Sequence, residues 1–262
     1  MSENFDSNQN HYFFNKKDTI PLVFIHGVGL DHQMWNKQVD YLNEFSTLTY
    51  DLLGHGKTPL KKSSLSIKDF SDQLFSLINE LNFNKIHLIG FSLGALIARH
   101  FASEHNEKLM SLILHGSIYK RTEEQKKMIK GRLENVRVNN QSTKISALNR
   151  WFSEDFVKKN HDTYKKIYSM LEKNDRSSFL KSYELFANYI DDESMIKKIK
   201  AKTLVTTGEN DSGSTPEMSK NLSKLIKGSE FIEIKSGKHL CSIECADDVN
   251  IVFKKFIDKN NG

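Results

Sequence analysis

The chain has few of the features that mark secreted or membrane-bound proteins. Two cysteines among 262 residues are too few for a disulfide framework and favour a reducing compartment. Apolar runs of the length that a transmembrane helix needs do not occur in the sequence. The first ten residues, MSENFDSNQN, contain neither the basic nor the apolar region of a secretory signal. We therefore expect a soluble, cytoplasmic protein without a membrane partner.

Arginine is also scarce, because lysines outnumber arginines by 32 to 6 within a net charge of +5. Arginine is the side chain that reads phosphate through two parallel hydrogen bonds, so its scarcity argues against a nucleic-acid-binding protein. A hydrophobic share of 38%, with 17 Phe and 8 Tyr, argues against a disordered chain. The composition therefore indicates a globular protein whose partner is not nucleic acid.

Short apolar runs alternate with amphipathic helical patterns through the first half of the chain. The predicted strands are residues 22–26, 46–50, 85–90 and 109–115, and the predicted helices are 34–45, 67–81 and 93–104. Continuous apolar strands separated by helices are typical of a parallel sheet that is covered on both faces. The predicted fold class is therefore α/β, with a mostly parallel central sheet and helices on both of its faces.

This alternation is interrupted between residues 119 and 195, where the chain is rich in lysine, follows a helical period and contains no proline. Strand and helix signals resume at 203–207, 214–226, 230–234 and 246–258. We therefore predict one α/β core, residues 11–118 and 196–262, that is interrupted by a helical cap at 119–195. Residues 1–10 are predicted to be a disordered polar tail.

The most specific motif is Gly90-Phe91-Ser92-Leu93-Gly94, which lies between a predicted strand and a predicted helix. A strand that turns sharply into a helix strains the residue at the turn, and small neighbours leave room for that conformation. The hydroxyl of Ser92 is then exposed at the end of the strand, where it can act as a nucleophile. The alternative interpretation is a glycine turn in which the serine is incidental.

A nucleophilic serine needs a base and an acid that orients the base, and candidates for both follow Ser92 in the chain. Asp211 lies on the loop after one predicted strand, and His239 lies just after the last one. Catalytic groups of open α/β sheets gather at the carboxyl ends of the strands, so we expect these side chains to meet. His239 would take the proton of Ser92, and Asp211 would orient the imidazole. Glu209 is the alternative acid.

The oxyanion that forms during attack needs two backbone N–H donors. Leu93 follows the nucleophile at the start of a helix, where the helix dipole favours negative charge. The second donor is expected from the turn His26-Gly27-Val28-Gly29, with Val28 the first choice. The alternative is an ordinary glycine loop, in which His26 and His55 brace the backbone.

These motifs make the chain resemble the α/β-hydrolase superfamily from Pro21 to Ile257. Residues 51–56 are similar to the superfamily's D-x-x-G-H-G turn, and residues 90–94 to its nucleophile elbow. Within the superfamily the chain is most similar to 3-oxoadipate enol-lactonases and related small carboxylesterases. The stretches that carry this likeness are 29–35 with Gln38, 149–152, 208–216, and His239-Leu240 followed by Glu244.

The resemblance implies hydrolysis of a small carboxylic ester, lactone or enol-lactone without a metal or an organic cofactor. It also favours Asp211 over Glu209 as the acid. Candidate pocket residues are His26, Gly27 and Trp151, of which Trp151 either lines the pocket or packs within the cap. The usual arginine of the superfamily's turn is Leu53 here, which removes one cation near the site.

Other functions remain open. The same three residues could cleave a carbon–carbon bond in a vinylogous diketone, or the chain could be a ligand receptor on a hydrolase scaffold. An esterase acting on an acidic carrier protein is a further alternative, because seven basic and three acidic residues lie between Lys120 and Arg137. Cys241 and Cys245 with His239 could suggest zinc, but no second closely spaced ligand pair accompanies them.

Overall fold

The computed structural model describes residues 2–138 and 142–261, and its strands form a sheet with the order β1-β2-β4-β3-β5-β6-β7-β8. The strands are β1 (Ser2–Phe5), β2 (His11–Asn15), β3 (Leu22–Ile25), β4 (Thr47–Tyr50), β5 (Ile86–Phe91), β6 (Leu109–His115), β7 (Lys202–Gly208) and β8 (Glu230–Ile234). From β4 through β3 to β8 the neighbours are parallel, whereas β1 and β2 pair in antiparallel fashion at one edge. The predicted, mostly parallel sheet is therefore confirmed.

Helices cover both faces of this sheet. They are α1 (Asn36–Tyr41), α2 (Ile67–Glu80), α3 (Leu93–Glu104), α4 (Glu123–Arg137), α5 (Ser142–Trp151), α6 (Glu154–Lys159), α7 (His161–Lys173), α8 (Arg176–Ala187), α9 (Glu193–Ile196), α10 (Pro216–Leu225), α11 (Cys241–Glu244) and α12 (Ala246–Lys259). One core cluster joins the sheet to α2, α3 and α10, and a second joins it to α1 and α12. The α/β class is thus confirmed.

The alternation of side chains in β3 shows how the sequence builds two cores. Val23 and Ile25 belong to the cluster on one face, whereas Leu22 and Phe24 belong to the cluster on the other. All four are fully buried, because successive side chains of a strand point to opposite faces and helices cover each face. A continuous apolar run is therefore what a central strand of this sheet requires.

The helices of the predicted insertion lie between β6 and β7. Helices α4 to α8, followed by the short α9, occupy this part of the chain. Their apolar side chains join both core clusters, and Ile129, Leu133 and Ala187 form a small third cluster between α4 and α8. The segment therefore packs over the sheet and makes contacts of its own.

The prediction of a disordered tail at residues 1–10 is wrong for residues 2–10, the part of it that the structure describes. Ser2–Phe5 forms β1, which pairs with β2 from Ser2 opposite Phe14 to Phe5 opposite His11. A tight turn follows, in which the Asp6 carboxylate accepts the backbone N–H groups of Asn8 and Asn10. No strand signal marks β1 because it is a polar edge strand, whose pairing depends on backbone hydrogen bonds and turn chemistry.

The predicted helix at 34–45 is shorter and starts differently. Residues His32–Trp35 form a 3-10 turn, and α1 then ends at Tyr41. Among the described residues, no helix combines the length and the apolar character needed to cross a bilayer.

Candidate active site

The turn between β5 and α3 holds Ser92 in a strained backbone conformation. Its φ of 54° and ψ of −111° lie where residues with a side chain are rarely found. The two glycines make this possible, because a Cβ on Gly90 would lie 2.6 Å from the carbonyl carbon of Gly94. A Cβ on Gly94 would lie 2.7 Å from the His26 carbonyl oxygen and closer still to that of Ile25. The elbow therefore fits only with glycine at both positions.

The structure brings together the three side chains that the sequence singled out. Asp211 Oδ2 lies 2.6 Å from His239 Nδ1, and His239 Nε2 lies 3.3 Å from Ser92 Oγ. Asp211 follows β7, His239 follows β8, and Ser92 follows β5, which is separated from β7 by β6, so strand ends on the same edge of the sheet supply the constellation. The geometry is that of a nucleophile, a base and an orienting acid in a row.

Asp211 is held as a carboxylate. Burial would raise its pKa, but the facing His239 and the backbone N–H groups of Ser214 and Gly213 outweigh burial and leave the pKa of Asp211 lowered. Those N–H groups donate to Oδ1 at 2.9 and 2.8 Å, respectively. A carboxylate acceptor beside Nδ1 favours the His239 tautomer with its proton on Nδ1, and Nε2 then faces Ser92 Oγ as an acceptor.

Glu209, the alternative acid, does not reach the histidine in this structure. Its Oε2 accepts the backbone N–H of Ser236 at 2.8 Å, and its side chain is exposed. It therefore ties the two loops that follow β7 and β8 to each other, on the outside of the site.

The two backbone groups expected to bind an oxyanion are unpaired. Within the described chain, neither the Val28 N–H nor the Leu93 N–H donates a hydrogen bond. Leu93 is the first residue of α3, so its N–H lacks the carbonyl partner that residues further along a helix have. Gly27 lets this loop approach the elbow, because a Cβ there would lie 2.9 Å from the Phe91 ring.

His26 and Gly27 do not line the cavity above Ser92, which corrects their assignment to the pocket. The His26 ring is fully buried between two loops, with Nδ1 2.8 Å from the Gly27 carbonyl oxygen and Nε2 accepting the Leu52 N–H at 2.9 Å. Burial lowers the pKa of His26 to about 3, so the ring is neutral. Its position matches the bracing role that was the alternative prediction.

A cavity of about 400 Å³ separates Ser92 and His239 from the cap. Val28 lies on its wall, as does Trp151, whose ring centroid is 6.2 Å from that of His239. Helices α4, α5, α7 and α8 supply most of the remaining wall, and the loop after β7 contributes Ser212, Gly213 and Ser214. Trp151 therefore takes the pocket position, the first of the two that the sequence allowed.

The loop that carries His239 is attached to the cap, a feature that the sequence did not reveal. The hydrogen bonds join Leu240 N to Trp151 O, Lys238 Nζ to Asn149 O, and Ser153 N to Glu244 Oε1, each at 3.1 Å. The similarity of residues 149–152 and of Glu244 to the lactonase pattern was the one signal that pointed to these segments. The end of α5 and the His239 loop are therefore one packed unit.

The two cysteines take no part in a ligand cluster with His239. Cys241 is buried, and its Sγ lies 3.4 Å from Nε2 of His115. Burial raises the pKa of the Cys241 thiol and lowers the pKa of His115 to about 3, so both groups are neutral. They form a packed pair beneath the site.

Three ligand-type side chains do approach one another elsewhere, at the turn that begins with Asp51. Asp51 Oδ2 lies 2.6 Å from His11 Nδ1, and Oδ1 lies 2.8 Å from His32 Nδ1. Burial would raise the pKa of Asp51, but hydrogen bonds from His11 and His32 dominate and keep it far below its usual range. Gly56 leaves room for the carboxylate, because a Cβ there would clash with it. The cluster is a hydrogen-bonded network that ties β2 to the loops after β3 and β4.

Comparison with known proteins agrees with the fold. Residues 20–245 match the sequence profile of the alpha/beta hydrolase fold, and the chain belongs to that family.

Two enzymes of Acinetobacter baylyi are similar to the chain over most of its length. An (E)-2-((N-methylformamido)methylene)succinate hydrolase is 26% identical over 96% of this chain and 95% of its own length. A 3-oxoadipate enol-lactonase is 25% identical over 90% of this chain and 88% of its own length. The chain is a hydrolase by family and by these relatives.

Among solved structures, an enol-lactonase from Burkholderia xenovorans superposes with a TM-score of 0.87. It is 22% identical and is matched over 96% of this chain and 98% of its own. At that identity the likeness shows a common fold.

Proposed function

We propose that the chain is a serine hydrolase that cleaves a small carboxylic ester or enol-lactone through an acyl-enzyme. The observation that carries this proposal is the row of contacts from Asp211 through His239 to Ser92 at the strained elbow. The similarity to enol-lactonases supports the substrate class.

The reaction begins with attack by Ser92 Oγ on the substrate carbonyl carbon while His239 Nε2 takes the hydroxyl proton. The tetrahedral oxyanion accepts hydrogen bonds from the N–H groups of Val28 and Leu93. His239 then returns the proton to the departing alkoxide or enolate oxygen, which breaks the acyl–oxygen bond. For a lactone, the leaving oxygen stays attached to the acyl group through the opened ring.

The second half of the cycle uses the same groups. His239 takes a proton from a water molecule, and the resulting hydroxide attacks the acyl-enzyme carbonyl. Collapse of this second tetrahedral species returns the proton to Ser92 Oγ and releases the carboxylic acid. Asp211 stays ionised and stabilises the imidazolium that forms twice in each turnover.

Steady-state kinetics on nitrophenyl esters and on five- and six-membered lactones test the proposal, with Ser92→Ala as the variant. We expect turnover to fall by about 10⁴- to 10⁶-fold, as when a member of such a triad is removed. Unchanged turnover in Ser92→Ala would contradict the mechanism. A burst of one product equivalent without later turnover in the wild type would instead indicate a receptor.

A second candidate for the bond that is cleaved is the carbon–nitrogen bond of an amide, because one relative is a hydrolase of (E)-2-((N-methylformamido)methylene)succinate. The same attack by Ser92 applies, with nitrogen as the leaving atom. Product analysis by mass spectrometry on paired esters, amides and vinylogous diketones, with Ser92→Ala as the control, separates the ester, amide and carbon–carbon alternatives.

A further inference from the structure

Four of the six arginines of this chain line the cavity above Ser92. They are Arg121, Arg132, Arg150 and Arg176, and Lys144 adds a fifth cation. The acidic side chains of the lining are Asp211, which faces His239, and Glu172. Although arginine is scarce in this chain, most of its arginines therefore lie around the candidate active site.

Three of these arginines line the same cavity as Tyr183. Burial raises the pKa of the Tyr183 phenol, and the positive charges of Arg132, Arg150 and Arg121 act against that rise. Arg121 comes just before α4, Arg132 lies within α4, and Arg150 lies near the end of α5. Three segments of the cap therefore contribute positive charge to the lining of one cavity.

Arg121 and Arg150 are fixed by their contacts. Arg121 Nη1 donates to the carbonyl oxygens of Phe186 and Ala187, and its guanidinium carbon lies 4.7 Å from the centre of the Phe186 ring. Arg150 Nη1 donates to both oxygens of Ser146 at 2.8 Å. Each contact uses one edge of the guanidinium, so other N–H donors remain for a ligand.

The positive charge of this cluster is not balanced by protein carboxylates. Within the described residues, no Asp or Glu forms an ion pair with Arg132 or Arg150, and Arg132 donates no hydrogen bond. Asp191, whose negative charge acts to raise the pKa of Arg121, already pairs with Arg99 at 2.8 Å. Burial and the neighbouring Arg132 lower the pKa values of Arg121, to about 10, and of Arg150. An anion bound between these like charges would reduce their mutual repulsion.

We propose that Arg121, Arg132 and Arg150 bind a dianionic group of the substrate, either two carboxylates or one phosphate. The proposal rests on the function proposed above, since the dianion would be the part of the ester or lactone remote from the bond that Ser92 attacks. Guanidinium groups suit it because their planar forks donate paired hydrogen bonds to carboxylate and phosphate. A single carboxylate would leave most of the charge of the cluster unpaired.

In this proposal the basic segment between Lys120 and Arg137 binds part of a small substrate, whereas in the carrier-protein alternative it binds an acidic protein. Arg121 and Arg132 face the cavity, whereas Arg137 pairs with Glu134 and Glu184 on the outside. The arginines that are free to bind an anion thus face a space of small-molecule size.

The test compares kcat/KM for nitrophenyl esters of butanoate, of succinate, of tricarballylate and of O-phosphorylated hydroxybutanoate. These acyl chains carry no charge, one carboxylate, two carboxylates and one phosphate. The variants are Arg132→Gln and Arg150→Gln, and the control is Lys165→Gln, which removes the same charge from an exposed position of the cap outside the cavity.

We expect the wild type to prefer the two dianionic esters, and each arginine variant to lower kcat/KM for them by about 10- to 100-fold. The neutral ester should stay within about twofold, and Lys165→Gln should behave as the wild type. Equal losses on all four esters, or the same loss in Lys165→Gln, would overturn the proposal. The larger of the two dianion effects identifies two carboxylates or phosphate as the natural group.

Binding separates this inference from the proposed function. Calorimetry on Ser92→Ala measures succinate and inorganic phosphate as dianionic probes and acetate as the monoanionic one. One outcome is that Ser92→Ala binds the dianions, that the double variant Ser92→Ala/Arg132→Gln does not, and that the wild type hydrolyses no ester. This would support the anion site and refute the proposed esterase function. Ester hydrolysis with no dianion binding would do the reverse. Thermal denaturation of each variant establishes that the fold is retained.

Discussion

Leu240 donates its backbone N–H to the carbonyl oxygen of Trp151 at 3.1 Å, which fastens the residue after His239 to the end of a cap helix. The Trp151 side chain lies on the cavity wall at the same place. A ligand that contacts Trp151 therefore contacts a residue whose backbone positions the histidine. The cap and His239, the candidate general base, are therefore coupled through main-chain atoms.

Glu244 offers a way to test this coupling, because its Oε1 accepts the Ser153 N–H at 3.1 Å on the far side of Trp151. In Glu244→Ala this anchor is lost, and we expect kcat to fall by about 3- to 30-fold since His239 is held less firmly. The free energy of unfolding should fall by about 1 kcal/mol. Glu244→Gln keeps an acceptor oxygen and should retain most of the activity. Full kcat in the alanine variant, with its stability reduced, would show that the anchor is structural only.

Asp211→Asn should reduce kcat by about 10⁴-fold with little effect on substrate binding, because a neutral amide no longer fixes the His239 proton on Nδ1. Stopped-flow measurement of acyl-enzyme formation would locate the defect in the chemical step. The matched variant is Glu209→Gln, whose side chain is exposed and bonded to Ser236. A larger loss of activity in Glu209→Gln than in Asp211→Asn would reverse the assignment of the acid.

The core of the fold could be predicted because its signals are local. Helix α3 and strands β6 and β8 have the predicted bounds, since continuous apolar runs mark buried strands and the glycine turn marks where α3 begins. The order of Ser92, Asp211 and His239 along the chain, each after a strand, was enough to place them at one edge. Their separations of 2.6 and 3.3 Å follow only from the folded sheet.

Other features depend on contacts between distant segments and left no local signal. Strand β1 is held by its pairing with β2, and its polar sequence resembles that of a disordered tail. His26 belongs to the expected oxyanion turn, yet its ring points away from the cavity and accepts the Leu52 N–H. The arginine cluster is of the same kind, because Arg132 and Arg150 line one cavity only when two cap helices pack.

The Asp51 network should contribute to stability in a manner that depends on pH. Its buried carboxylate accepts both His11 and His32 rings and the Lys57 N–H, so Asp51→Asn should lower the free energy of unfolding by about 2–4 kcal/mol near neutral pH. The folded-state pKa of Asp51 lies below its unfolded value. Its stabilising effect is therefore complete above about pH 4 and is lost progressively as the pH falls toward the folded-state pKa.

Urea denaturation at neutral pH and at about pH 3 measures this effect. The difference between wild type and Asp51→Asn should shrink at the lower pH, whereas Asp18→Asn, at an exposed position, should differ little from wild type at either. A difference that stays constant with pH would mean that the charge of Asp51 contributes nothing.

Two glycine-to-alanine variants should have opposite effects. Gly94→Ala places a methyl group 2.7 Å from the His26 carbonyl oxygen, where only backbone movement can relieve the clash. We expect the free energy of unfolding to fall by several kcal/mol, which is more than overpacking of a core usually costs. Ester hydrolysis should also be lost, because the elbow shifts. Gly131 lies within α4 and has nothing within 4 Å of the added Cβ, so Gly131→Ala should stabilise the protein by about 0.5–1 kcal/mol. Thermal denaturation and ester hydrolysis measured on both variants test these two expectations. A stable, active Gly94→Ala variant would show that the close packing of the elbow is dispensable.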